Sequence, residues 1–173
     1  MTRNILHLII LSIFISCTAP KEEKHDTEDI EIPVTPTPPK AETKNIALNA
    51  LLGQYYQIAE ALTSGDVNQV RIIANAIAAG AEKAGERNII EAAKEIVGSN
   101  QLETERKSFQ KLSNAFISMV KKEGLENGNL YVAYCPMAFN NQGASWITTV
   151  KAIKNPYFGE SMLTCGSIKE TIQ

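Results

Sequence analysis

Four sulfur-bearing side chains stand in the C-terminal part of this chain as two short motifs, Cys135-Pro136-Met137 and Met162-Leu163-Thr164-Cys165. Pro136 restrains Cys135 to extended backbone, and in an extended segment residues two apart project to the same side. Met162 and Cys165, three apart, share a face if they lie on one helical turn. Two thiols and two thioethers can therefore converge. Such soft donors favour Cu(I) over Mg or Ca, and Ag(I), another soft monovalent ion, should behave like Cu(I). The same residues also support a plainer chemistry. Two cysteines in an oxidising compartment form a disulfide, and closing the loop between Cys135 and Cys165 stabilises a fold by about 3–4 kcal/mol on the chain-entropy account. Met137 and Met162 would then be ordinary apolar packing. Spacing alone leaves both readings open.

Other chemistries are easier to exclude. The two histidines, His7 and His25, both precede the region that can fold. A Cys–His or Ser–His nucleophile pair is therefore absent from that region, and so are the common imidazole-containing zinc sites. No pair of acids stands apart from the charged surface positions, and the chain is expected not to be an enzyme. A net charge of -2 with no basic patch argues against nucleic acid as a partner.

The N-terminus sets the compartment. Arg3 precedes an apolar run from Ile5 to Ile15, interrupted by His7 and Ser12. The run is shorter than the roughly 20 apolar residues a spanning helix needs, and it fits a secretory signal peptide over residues 1–16. Phe14-Ile15-Ser16-Cys17 resembles the lipobox of bacterial lipoproteins, although Phe14 replaces the usual Leu. In that family the cysteine receives the lipid and becomes the first mature residue. Composition turns from apolar to charged directly after Cys17. Residues 17–44, ending in the Pro33, Pro36, Pro38 and Pro39 stretch, bury too little to fold and read as an extended tether. The expected location is the cell envelope, lipid-anchored and facing the periplasm or exterior. With Cys17 lipidated, Cys135 and Cys165 are the remaining cysteines among the three in the sequence.

Residues 45–173 are long enough for one domain. Apolar positions recur with helical period in four segments, about Ile46–Thr63, Val67–Lys83, Glu86–Val97 and Leu102–Glu123. Asp66 with Gln69 looks like a capping box. Tyr55, Phe109 and Phe116 belong to the core stripe, and since Tyr55 and Tyr56 cannot both face the core, one of the two tyrosines falls at its edge. The charged positions Glu82, Lys83, Glu103, Arg106 and Lys107 read as solvated faces. Short connections predict an up-down four-helix bundle, all-α, with an irregular Cys/Met-containing tail packed on it. Leu130 to Tyr134 has strand-like composition, but the tail as a whole looks too irregular to form a core alone. Trp146, Tyr157 and Phe158 are its expected anchors.

Tyr134-Cys135-Pro136-Met137-Ala138-Phe139, Asn155-Pro156-Tyr157-Phe158-Gly159 and Met162-Leu163-Thr164-Cys165-Gly166 resemble a bacterial family. It is the domain-of-unknown-function family numbered three thousand three hundred and forty-seven, with the likeness extending over about Asn45 to Ile172. Its members are small exported proteins and the ends of periplasmic adaptors of copper/silver efflux pumps. The resemblance implies a periplasmic role near Cu(I) or Ag(I), with heavy-metal efflux components as partners. It also implies a ligand set of Cys135, Met137, Met162 and Cys165, with Trp146 and Tyr157 shaping and shielding it. Tyr134 stands where no imidazole ligand is available.

Overall fold

The computed structural model describes residues 40–173. The expected signal peptide, Cys17 and most of the expected tether lie outside the described residues. Four helices form as the periodicity requires: α1 Ile46–Ser64, α2 Val67–Ala84, α3 Arg87–Val97 and α4 Leu102–Glu123. Asn45 caps α1 by accepting from Leu48 N at 3.1 Å, and Asp66 caps α2 by accepting from Gln69 N at 3.0 Å. Each cap satisfies one of the amide groups that a helix start leaves unpaired. The Asp66 amide donates to Ala61 O instead of to Gln69, so only half of the expected capping box is made. Alanines 74, 78, 81, 92 and 93 are buried, and their small side chains let α2 and α3 pack closely.

The all-α expectation is corrected by the C-terminal segment. Three strands, β1 Leu130–Cys135, β2 Ala144–Thr148 and β3 Ser167–Ile172, form an antiparallel sheet in the order β2-β1-β3. Between them lie a one-turn element, α5 Ala138–Asn141, and a 3₁₀ turn, Gly159–Met162. The tail is thus a layer of sheet against helices. Strand periodicity is obscured for a physical reason. Val132 pairs with Glu170 but Ala133 pairs with Ile168, so Lys169 is an extra residue that bulges out of β3 and breaks the two-residue alternation. Central strand β1 is covered on both faces, with Leu130, Val132, Ala133 and Cys135 buried, and it too shows no clean alternation.

Aromatic rings join the two layers. Tyr55 lies 5.3 Å from Phe109 and 4.8 Å from Phe116 between ring centroids. Phe109 meets Tyr157 at 5.8 Å, and Tyr157 meets Trp146 at 5.9 Å. The Tyr55 hydroxyl contacts Ser113 Oγ at 2.7 Å and accepts from the Ile147 amide at 3.0 Å. A helix side chain thereby satisfies an amide of an edge strand. Tyr55 is fully buried and Tyr56 only partly, so Tyr56 is the tyrosine at the edge. Trp146 and Tyr157 anchor the tail in the core, while Phe158 is half-buried.

Two adjacent charged residues of α4 are buried, one of them against expectation. Arg106, read as a solvated position, is 7% exposed, and its neighbour Glu105 is 0% exposed. Both Glu105 carboxylate oxygens lack a hydrogen-bond partner among the described residues. Burial raises the Glu105 carboxyl above its usual range, and Arg71 offsets this only in part. Leaving a buried polar group unpaired costs about 1–3 kcal/mol. Glu105→Met, which keeps similar volume without polar atoms, is therefore expected to stabilise the fold by about 1–3 kcal/mol at neutral pH. The sign of the pH dependence follows from the raised value. The protonated form is favoured in the native state, so this group contributes most below its unfolded value and that contribution is lost as pH rises. The advantage of Glu105→Met should shrink on acidification. Urea unfolding at several pH values checks this; a destabilised variant at neutral pH would refute it.

Candidate functional site

The two cysteines come together from separate elements. Cys135 is the last residue of β1 and is fully buried. Cys165 closes a turn in which its amide donates to Met162 O at 3.1 Å. The Sγ atoms are 2.9 Å apart, and both cysteines are free. That separation is inside van der Waals contact, but longer than the roughly 2.05 Å of a disulfide bond. The hydrogen bond to Cys135 is the main cause that pushes the Cys165 thiol up, with burial adding to it.

Asn155 and Gly166 hold the Cys165 turn. Asn155 is fully buried. Its Nδ2 donates to Cys165 O at 2.8 Å, and its Oδ1 accepts from Tyr157 N at 2.8 Å. Its backbone amide donates to Leu163 O at 2.8 Å, and its carbonyl accepts from Gly159 N at 2.9 Å. Gly166 has φ 135°, and a Cβ there would stand 2.9 Å from Tyr134 O and 3.0 Å from the Trp146 ring. Only a glycine lets the chain pass that close to β1 and bring Cys165 to Cys135. Gly159 plays a similar part, at φ 58°, with a hypothetical Cβ 2.6 Å from Thr63 O.

The thioethers are arranged differently from the sequence expectation. The strand ends at Cys135, and Met137 has φ -86° and ψ -11°. The Cys135-Pro136-Met137 segment therefore turns, and the same-side rule for extended chain does not apply. Met137 is 48% exposed; Met162 is half-buried at the end of the 3₁₀ turn. Past Met137, Phe139, Asn140 and Asn141 all take positive φ, 52°, 57° and 65°, so the backbone after the Cys-Pro-Met motif is strained. The Met162–Cys165 spacing does correspond to one turn. Among the described residues no group of three or more His, Cys, Asp or Glu is placed to hold a metal.

Trp146 and Tyr157 are both buried near the two cysteines. The Trp146 ring abuts Gly166, Tyr157 lies close enough to Cys135 to interact with it electrostatically, and both rings are buried. Tyr157 is further fixed by its hydroxyl, which donates to Ser145 O at 2.6 Å. Residues 40–45 lead into the other end of α1. There Glu42 N donates to Asn127 O at 3.0 Å. The Gly159–Met162 turn sits by the C-terminus of α1, a helix of 19 residues, so roughly 28 Å of helix separates the two.

Fold and site together define a helical domain with a C-terminal three-stranded sheet and a buried-to-surface dithiol. The sequence profile of the family described as "Protein of unknown function (DUF3347)" matches residues 51–128. The match covers α1 from Leu51 through the loop after α4, and not the motifs of the sheet region. No curated protein and no solved structure matches the chain. No helix among the described residues is long and apolar enough to cross a membrane.

Proposed function

We propose that this is an exported, non-catalytic protein, lipid-anchored at Cys17, that takes Cu(I) or Ag(I) on Cys135 and Cys165 for buffering or delivery to heavy-metal efflux components. The observation that carries the proposal is the contact of two free thiols at 2.9 Å. One of them is on a half-buried turn that can admit an ion. Soft thiolates select soft monovalent ions. Met162, three residues before Cys165, and Met137, two residues after Cys135, are the thioether candidates. Metal–sulfur bonds are long, about 2.3 Å even for zinc, so two sulfurs on one ion stand further apart than 2.9 Å. The Cys165 turn must therefore open slightly on loading.

The experiment is anaerobic competition for Cu(I) against a chromogenic chelator, using the full chain with Cys17→Ser so that only two thiols remain. Saturable binding is expected, weakened at least tenfold in Cys135→Ser/Cys165→Ser. Because each thiol must lose its proton, and the Cys165 thiol is pushed up, affinity should fall as pH falls. The expected slope is about tenfold per pH unit for each proton displaced. No binding by the reduced chain, or equal binding by the double variant, sinks the proposal.

The sulfur contact also favours a second reading, in which a Cys135–Cys165 disulfide staples a cell-envelope interaction module. Thiol counting on protein purified without reductant separates the two: two free thiols for the metal site, none for a permanent staple.

A further inference from the structure

A cleft of about 380 Å³ lies on the other side of Trp146, between α1, β2 and the 3₁₀ turn. Its size is in the range of small-molecule sites. Three features say what it can hold. First, its walls include Tyr56, Trp146 and Leu163, an apolar and aromatic lining suited to an apolar body. Second, the Tyr56 hydroxyl is buried and has no hydrogen-bond partner among the described residues. Burial raises this phenol further, so it remains a neutral hydroxyl able to accept or donate. A buried polar atom left unpaired is costly, and a small shift of the Tyr56 ring toward the cleft would let a ligand relieve that cost. Third, the cleft carries Glu60, Glu160 and Lys154. All three are exposed, and none appears in an ion pair among the described residues. Two carboxylates against one ammonium leave an excess of negative charge.

The local sequence explains the layout. Tyr56 and Glu60 are four residues apart on α1, so they share one helix face. Glu160 follows Gly159, whose left-handed backbone brings the 3₁₀ turn against Thr63. The acid from the tail therefore reaches the same mouth as the acid from the helix. Neither motif was selected by the thiol chemistry, and the cleft does not depend on a metal at Cys135 and Cys165.

We propose that this cleft binds a small organic cation with an apolar body, an arylalkyl- or alkylammonium. Its apolar part packs against Tyr56 and Leu163, beside the buried Trp146 ring, and its ammonium is held by Glu60 and Glu160. Aromatic rings and carboxylates both favour a cation over an anion at such a site.

The test uses the full chain and the intrinsic fluorescence of Trp146, the one tryptophan in the sequence. Phenethylammonium, 2-phenylethanol and 3-phenylpropionate serve as cationic, neutral and anionic probes of similar shape. The ammonium should give a saturable change, with the alcohol and the carboxylate at least tenfold weaker. Glu60→Gln/Glu160→Gln changes only exposed side chains and should weaken the ammonium at least tenfold. Lys154→Met should tighten it severalfold. The proposal is overturned if the ammonium gives no saturable change, if the carboxylate binds as tightly, or if the glutamine pair leaves affinity unaltered. Repeating the titration in Cys135→Ser/Cys165→Ser keeps the result separate from the thiol site: binding should persist there, whatever the outcome for Cu(I).

Discussion

Arg106→Ala should lose about 2–6 kcal/mol of stability, because it leaves two buried carbonyls without their donor at about 1–3 kcal/mol each. Arg106 sits on α4 and reaches three partners, two of them on other parts of the chain. Its Nη2 donates to Leu62 O at 3.1 Å, its Nε donates to Pro156 O at 3.1 Å, and its Nη1 donates to Glu103 Oε1 at 2.6 Å. Leu62 is in the last turn of α1, where carbonyls have no helical partner and a cation is favoured by the helix dipole. Pro156 belongs to the segment that leads to the Cys165 turn. One guanidinium therefore caps a helix and fastens the tail. Glu103 is exposed, with its side chain 78% accessible, so that ion pair contributes little and the two carbonyls carry the effect. Arg106→Lys should recover part of the loss, because an ammonium keeps the charge but lacks the fork that reaches both carbonyls. Urea unfolding of the three proteins is the measurement. A loss under about 1 kcal/mol for alanine would put Arg106 with ordinary surface residues.

The same residue shows where sequence reading stops. Helices α1 to α4 were legible because apolar spacing, caps and glycine stops agree with one another, and α4 was delimited to the residue. Arg106 and Glu105 were not, because a single charged residue beside an amphipathic stripe looks solvated until the chain that covers it is known. What covers Arg106 comes from fifty residues later. The sheet was illegible for a related reason. Leu130 to Tyr134 carries β-branched and aromatic residues, but Ser167–Ile172 carries a bulge and three charged or polar exposed residues in a row, so only pairing with β1 reveals it as a strand. For the site, the pairing of Cys135 with Cys165 could be posed as a possibility, since both motifs were visible. The turn at Met137 could not: Pro136 restrains the residue before it and says nothing of the one after. Asn155 was visible as a turn residue only. Its four hydrogen bonds require the folded tail.

Asn155→Ala should cost roughly 2–5 kcal/mol, as two groups are left unpaired at about 1–3 kcal/mol each. Those groups are the Tyr157 amide and the Cys165 carbonyl. The stability loss is the lesser interest, since many buried substitutions produce one. The Asn155 side chain bridges the segment before the 3₁₀ turn to the residue after it, and so sets where Cys165 stands. With that bridge gone, Cys165 should sample positions away from Cys135, and proximity is what makes an intramolecular thiol reaction fast. Disulfide formation under a mild oxidant should slow relative to the parent chain, while alkylation of Cys165 by an external reagent should speed up. General loosening of the fold predicts faster alkylation of buried Cys135 as well. Site-resolved mass spectrometry after brief alkylation separates the cases: selective exposure of Cys165 supports a positioning role for Asn155, and equal exposure of both thiols assigns it to stability alone. Asn155→Asp sharpens the comparison. It keeps an acceptor for Tyr157 N but loses the donor to Cys165 O, and it sets a carboxylate against that carbonyl. If positioning rests on the Cys165 bond, aspartate should free Cys165 as alanine does; if it rests on the Tyr157 bond, aspartate should behave like the parent. The prediction matters equally for a metal site and for a disulfide, because both need the two sulfurs delivered to one place.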